Sequence, residues 1–461
     1  MEPCCAVASG TVAAQRHRLR PATLLLVAWA LVGTATTMGN GAYLPHAVAL
    51  LIVGLALIGA AVTRMTGSRP PASGPAAAPG LLAAAVAALL LAFVFEPGIY
   101  ARGSLLTPSR ELTLAAAGLA LVAVLAGDRL AWACAGLAVA ASSAASVLMV
   151  KASPSPRIDV WFILTNGAQD VVRRVDMYRD CWPGNTDRLT DCVYPYLPMT
   201  SVAQVPFRYL GDIRYSYVVA LLVCVAAMLG LAGRRALPVA ALLLVSPKLT
   251  FLVEQSWTEP LLLAGVATFV WAAASGRRTT AVLALAFALA CKQHVLLVLP
   301  LAALWPAFGW RRTAASLGVA GLVTAPWFLA DPRAFLADAW DFNLHLPPRG
   351  DSLSLFTTAT RHGLTLPFSV VGIVTLAALA VALLVLPRTA AGFSLGAAFV
   401  QYVFDLSNKQ SFFNHWWLVS GLLLLAVTCL LAEDSDPSEE RSAAPVGARS
   451  DVVGEEPGRQ L

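Results

Sequence analysis

The chain has 461 residues, of which 58% are hydrophobic and only 13% charged, and its mean hydropathy is +0.71. An ordinary soluble domain carries about 25% charged residues, so a water-soluble fold of this length is excluded for want of polar surface. The net charge of +6 is uneven: from Glu433 onward there are eight acidic and three basic residues, which leaves 29 basic against 18 acidic, or +11, for the remainder. That basic balance fits anionic lipid surfaces and phosphate-bearing substrates, and no nucleic-acid-binding pattern accompanies it.

The chain opens with Arg16, Arg18 and Arg20 ahead of an apolar stretch lacking a small-residue cleavage site, which reads as a retained helix and not a cleaved signal peptide. Apolar runs then recur, 81–95, 130–150 and 364–386 among them. Each is near the roughly 20 residues that cross a bilayer as a helix, the form that leaves no backbone group unpaired in lipid. Short loops carry Arg64 and Arg69, Asp128-Arg129, Arg234-Arg235, Arg277-Arg278, Arg311-Arg312, and Arg388. The positive-inside rule assigns them to the cytoplasm with the N-terminus. The stretches around Arg102, from 151 to 214, from Glu254 to Glu259, around Lys292, from 331 to 363 and from Asn408 to Asn414 then face out. The expectation is an all-α, polytopic transmembrane helical protein of about 13–14 spans in the cell membrane, with both ends cytoplasmic. It divides into N-terminal transmembrane helices (1–150), an external loop with juxtamembrane helices (151–214), a transmembrane core (215–432) with external loop 331–363, and an acidic tail (433–461) expected to be disordered.

Within these external stretches, segment 194–210 is apolar but carries three prolines, and is expected to be re-entrant or a kinked short span. Two others look like helices lying on the membrane: AQDVVRRVDMYRD, with Val171, Val172, Val175 and Tyr178 on one face, and RAFLADAWDFN, with Phe335, Leu336, Ala339 and Trp340. Such helices suit a roof over a cavity, the alternative being a solvated loop with one greasy side. Cys181 and Cys192 flank the polar loop CWPGNTDRLTDC and are expected to pair if it faces an oxidising exterior, whereas Cys134, Cys224, Cys291 and Cys429 sit in apolar runs as packing residues.

Candidate site residues concentrate on the external side. Asp159, in SPSPRIDVWFIL, lies at the membrane boundary beside Trp161 and Phe162. Desolvation there suits a general base, and an ordinary helix N-cap is the equal alternative. Lys292, Gln293 and His294 interrupt the apolar run ALACKQHVLLVLP, either as a phosphate-binding group or with Lys292 snorkelling as an anchor. Asn408, Lys409, Gln410, Asn414 and His415, with Asp405 just before, suit a sugar-phosphate site, although Trp416 and Trp417 equally fit an interfacial aromatic belt. Arg349 and Asp351, Arg214, Glu254 and Glu259 complete the set. The RGD string at 349–351 is too short to argue adhesion. With no Walker A or HExxH sequence, no cofactor and no metal site are expected, and an activated donor has to arrive attached to lipid.

In this order, IDVW with its amphipathic loop, YPYLP, GDIRYSY, EQSWTEP, ALACKQHVLLVLP, PPRGDSLSLF and NKQSFFNHWW cover more than half of the chain. The pattern resembles the GT-C glycosyltransferases, in particular the polyprenol-phosphate-mannose-dependent mannosyltransferases of glycosyltransferase family 87. The resemblance implies an inverting transferase whose general base is the Asp of the first large external loop, the position that Asp159 matches. The chain departs from that pattern by placing roughly five spans ahead of this loop instead of one. The resulting expectation is transfer of a sugar, by resemblance mannose, from a polyprenyl-phosphate donor to an envelope glycan or glycolipid acceptor. Asp159 would be catalytic, and Lys292, His294, Arg349, Lys409, Gln410, His415, Arg214 and Glu259 would bind the donor. The alternative is a transporter or flippase of a lipid-linked sugar, which is expected to place its ionisable groups near mid-membrane.

Overall fold

The computed structural model describes residues 20–66, 77–184 and 190–433; Arg16, Arg18, Arg69 and the tail from 434 onward, whose disorder was expected, lie outside the described residues. Among the described residues the chain is all-helical, with no strand and one isolated bridge between Ala42 and Ser352. It opens with α1 (Pro21–Met38), α2 (Pro45–Arg64), α3 (Ala78–Val94), α4 (Leu106–Leu125) and α5 (Asp128–Ala152). Two helices follow in the 151–214 segment, α6 (Asp159–Arg173) and α7 (Met199–Tyr209). Next come α8 (Tyr215–Ala232), α9 (Leu237–Leu244), α10 (Leu249–Glu254), α11 (Glu259–Ala274) and α12 (Arg278–Cys291). A tight helical turn, Gln293–Val298, leads into α13 (Leu299–Leu304) and α14 (Trp310–Ala330). Then α15 (Pro332–Leu336) and α16 (Phe342–His345) are joined by a π-helical turn at Ala337–Asp341, before α17 (Leu355–Arg361), α18 (Ser369–Val385), α19 (Ala390–Ser407) and α20 (Phe413–Glu433).

Among the described residues seven helices are long and apolar enough to cross a membrane, and five further apolar helices have 10–17 residues. Several of the apolar runs counted as spans are therefore shorter or interrupted. The run 237–254 is split into α9 and α10, because Pro247 has no N–H to extend a helix and Lys248 adopts a left-handed φ of 58°. Of the apolar window in α20, 83% is buried, against 17% in α14, which places α20 at the centre and α14 on the periphery. Outward-facing Phe93, Leu125, Leu322, Leu329, Ile373 and Leu384 leave large apolar side chains exposed, an arrangement costly in water and neutral in hydrocarbon.

The loops expected to share one side gather at one end of the bundle. Tyr43 N–H donates to Asp351 O (2.9 Å), Arg102 N–H to Ala152 O (2.9 Å), and Leu353 N–H to Ser411 O (2.8 Å). The turn between α1 and α2 approaches so closely that a Cβ on Gly41 would stand 2.3 Å from Phe413 N, and its φ of +79° also calls for glycine. At the opposite end the Arg234 guanidinium lies 5.1 Å from the Trp132 ring, joining two Arg-bearing turns.

Around the site, α6, α7 and the 332–345 segment form a small lobe with its own core of Ile163, Leu164, Tyr178, Trp182, Tyr194 and Phe335. Cys181 and Cys192 are disulfide-bonded, and Cys134, Cys224, Cys291 and Cys429 are free and buried. The expected surface faces are only partly realised. Helix α6 starts at Asp159 and stops at Arg173, because left-handed Arg174 lets the Val175 N–H turn back to Asp170 O at 2.9 Å. Val172 and Val175 are thus exposed, while Tyr178 is buried against Tyr194 and Phe335. In the second segment the wider π turn separates the expected face: Phe335 and Ala339 are buried, whereas Leu336 and Trp340 are each 45% exposed. Segment 194–210 is not a kinked span: its only helix, α7, has 11 residues, about 16 Å at 1.5 Å per residue, too short to cross.

Two buried carboxyls make this lobe acid-favoured. Asp170 accepts from Trp182 Nε1 (3.1 Å) and Asp338 from the Tyr194 N–H (2.8 Å). Burial pushes both up to about 6, with Asp180 adding to the effect on Asp170. An unfolded Asp titrates near 3.9, so the folded lobe binds more protons between about pH 4 and 6 and loses stability as pH rises through that window. The thermal midpoint of the lobe, followed by Trp fluorescence, is expected to be higher at pH 5 than at pH 7.5. Asp170→Asn keeps an acceptor for Trp182 and is expected to reduce the difference to the part that Asp338 contributes; an unchanged pH dependence would contradict the assignment of Asp170.

Candidate functional site

Three helix ends meet at Glu259. It stands in the first turn of α11, where the helix dipole favours a carboxylate; Asn414 stands in the first turn of α20; and Lys292 follows the last residue of α12 in an extended conformation. Lys292 Nζ lies 2.7 Å from Glu259 Oε1, with side-chain exposures of 16% and 0%, and Asn414 Nδ2 donates to the same oxygen at 2.8 Å. Lys292 therefore does not snorkel outward as an anchor. It turns inward to a fully buried partner, and its ammonium also lies 5.9 Å from the Tyr196 ring centroid. Glu259 Oε2 and His294 Nε2 are buried without a hydrogen-bond partner among the described residues. The His294 and His415 rings stand perpendicular at 6.4 Å, and His415 Nδ1 accepts from the Phe412 N–H at 3.4 Å, which leaves the proton of a neutral ring on Nε2.

Beside this group opens a cavity of about 370 Å³ with a mixed lining. Lys292, Gln293, His294, Asn408, Lys409, Gln410 and His415 supply its polar groups, and Leu296, Leu297, Phe368 and Phe404 its apolar ones. The 332–345 segment supplies the roof through Ala339, Trp340, Asn343 and Leu344. Hydrogen bonds hold it there: Lys409 Nζ donates to Leu344 O (2.5 Å) and Gln410 Nε2 to Pro347 O (2.6 Å). Gln293 Nε2 donates to Ala339 O, and Asn343 Nδ2 to Pro195 O (3.1 Å) and Ala339 O (3.2 Å). The π turn is what presents the Ala339 carbonyl to both amides. Burial lowers the proton affinity of Lys409, whose ammonium packs 4.4 Å from the Phe368 ring.

The other sequence candidates lie off the cavity wall. Asp159 is the first residue of α6, with Ile158 as the cap, and its Oδ1 accepts from the Val160 N–H at 2.8 Å. Its carboxylate acts on the Tyr196 hydroxyl, whose proton affinity is raised by burial first and then by the Asp159 and Glu259 carboxylates. Arg214 is fully buried and committed within the protein, to Asp212 Oδ1 (2.9 Å) and Oδ2 (2.6 Å), to Ser153 Oγ (2.9 Å) and O (2.7 Å), and to the carbonyls of Val150 and Glu254 (both 3.3 Å). Arg349 makes a two-pronged pair with Asp351 (2.9 and 2.6 Å) over the Phe412 ring, with both side chains exposed. Buried Asp405 accepts from Gln401 Nε2 at 3.1 and 3.0 Å. Tyr196, Trp340 and Asn343 were not singled out from sequence as site residues; the aromatics of YPYLP were the available signal for the first.

Among the described residues no cluster of three or more His, Cys, Asp or Glu side chains is arranged to hold a metal ion. Compared with family models, curated proteins and solved structures, the chain gives no match.

Proposed function

We propose that the protein is an integral membrane glycosyltransferase that moves a sugar, mannose by the sequence resemblance, from a polyprenyl phosphate to a glycan or glycolipid hydroxyl on the outer face of the cell membrane, with both chain ends cytoplasmic. The observation that carries the reading is the mixed lining of one cavity: two ammonium groups and two imidazoles suit a phosphosugar head, and the Leu and Phe side chains suit the start of a hydrocarbon tail. Asp159 takes the proton of the acceptor hydroxyl, whose oxygen attacks the anomeric carbon from the far side. The carbon–oxygen bond to phosphate breaks, and the polyprenyl phosphate leaves with the electron pair and its charge held by Lys292. Arg214 acts in this reading as a clamp on the Asp159 segment and not as a donor ligand.

The test uses purified full-length protein in liposomes, with polyprenyl-phosphate mannose as donor and octyl mannoside as acceptor. The expected result is mannosylated octyl mannoside of inverted anomeric configuration, with one polyprenyl phosphate released per sugar. Movement of intact donor between leaflets without sugar transfer would instead support a flippase.

A further inference from the structure

The loop between α3 and α4 is moulded on one carboxylate. Glu254 is fully buried, yet its charge is met by backbone and not by a cation: Ile99 N–H donates to Oε2 at 2.6 Å, and Tyr100 and Ala101 N–H donate to Oε1 at 2.9 and 2.6 Å. Gln255 Nε2 adds a bond to Oε2 at 3.1 Å. A Cβ on Gly98 would stand 2.8 Å from Glu254 Oε1, so only glycine lets the loop close around it.

This loop delivers Tyr100, whose hydroxyl donates to the Arg157 carbonyl at 2.6 Å, two residues before Asp159. Burial and the Glu254 and Asp159 carboxylates raise the phenol above its ordinary value, which keeps it a donor. On the other flank of the same stretch, Arg214 grips Ser153 and reaches the Glu254 carbonyl. Residues 153–159 are thus held at both ends by groups that are themselves tied to Glu254.

We infer that Tyr100 is a positioning residue for Asp159, set in place by Glu254, so that the α3–α4 loop belongs to the site. The inference rests on reading Asp159 as the base. It gives the helices ahead of α6 a role in the reaction: they fix the backbone from which the carboxylate projects.

Tyr100→Phe in full-length protein in lipid nanodiscs tests it, since the ring stays and only the hydroxyl goes. Amide hydrogen exchange across residues 157–160 is expected to quicken about five- to tenfold, the factor that loss of one hydrogen bond gives. With the same donor and octyl mannoside, kcat is expected to fall about five- to tenfold while the donor KM stays within about twofold. Glu254→Gln, which loses charge and places an N–H₂ among donors, is expected to loosen 99–101 and 153–159 together. Unchanged exchange in Tyr100→Phe, or faster exchange with unchanged kcat, overturns the inference. A wild-type protein that transfers no sugar overturns the base assignment instead, and the exchange rates still decide whether Tyr100 holds the segment.

Discussion

Asp159→Asn is expected to leave the protein folded and the donor bound while sugar transfer falls by a factor on the order of 10² or more. Asp159 stands in the first turn of α6, where its Oδ1 accepts from the Val160 N–H, and the Asn carbonyl can accept that bond equally. Loss of one charge at the helix N-terminus costs about 0.3–1 kcal/mol. What the substitution removes is the lone pair able to take a proton. Turnover and donor binding measured on the same preparation separate the two roles. Undiminished transfer would leave Asp159 as a helix-end residue only, and loss of donor binding in step with turnover would place it in the donor site.

Which loops share an end of the molecule was legible in the sequence, because Arg clusters alternate with stretches rich in Asp, Asn, His and aromatic residues. The bonds from Arg102 to Ala152 and from Leu353 to Ser411 bring those stretches together as the alternation requires. The grouping of Lys292, His294, Lys409, Gln410 and His415 around one cavity follows from the same pattern. What each polar side chain faces was not legible. Lys292 sits between snorkelling and burial by its local sequence, and the choice is made by Glu259, 33 residues away. Arg214 and Glu254 look like ligand groups until their partners are seen: Asp212, Ser153 and backbone carbonyls for the first, and chiefly backbone N–H groups for the second. The two surface helices were misjudged for a backbone reason: a left-handed Arg174 and a π turn each break the 3.6-residue period on which the expected faces rest.

Lys292→Met is expected to affect stability before it reports on donor binding. Glu259 is fully buried, and with the ammonium gone its Oε1 keeps Asn414 Nδ2 while Oε2 has no hydrogen-bond partner among the described residues. Leaving one charge of a buried pair uncompensated costs about 3–5 kcal/mol, whereas replacing both with neutral groups is often close to neutral. The double variant Lys292→Met with Glu259→Gln is therefore expected to recover most of the thermal stability, since the Gln carbonyl still accepts from Asn414 and no charge remains buried. If Lys292 is the phosphate ligand, this recovered protein still binds polyprenyl-phosphate mannose about tenfold or more weakly, the worth of one charge-assisted hydrogen bond. If the double variant binds donor like the wild type, Lys292 is only the counter-ion of Glu259, and the phosphate site shifts to Lys409, the other ammonium lining the cavity. A single variant as stable as the wild type would mean that Glu259 takes up a proton when its partner leaves, which a pH series of the thermal midpoint would register directly.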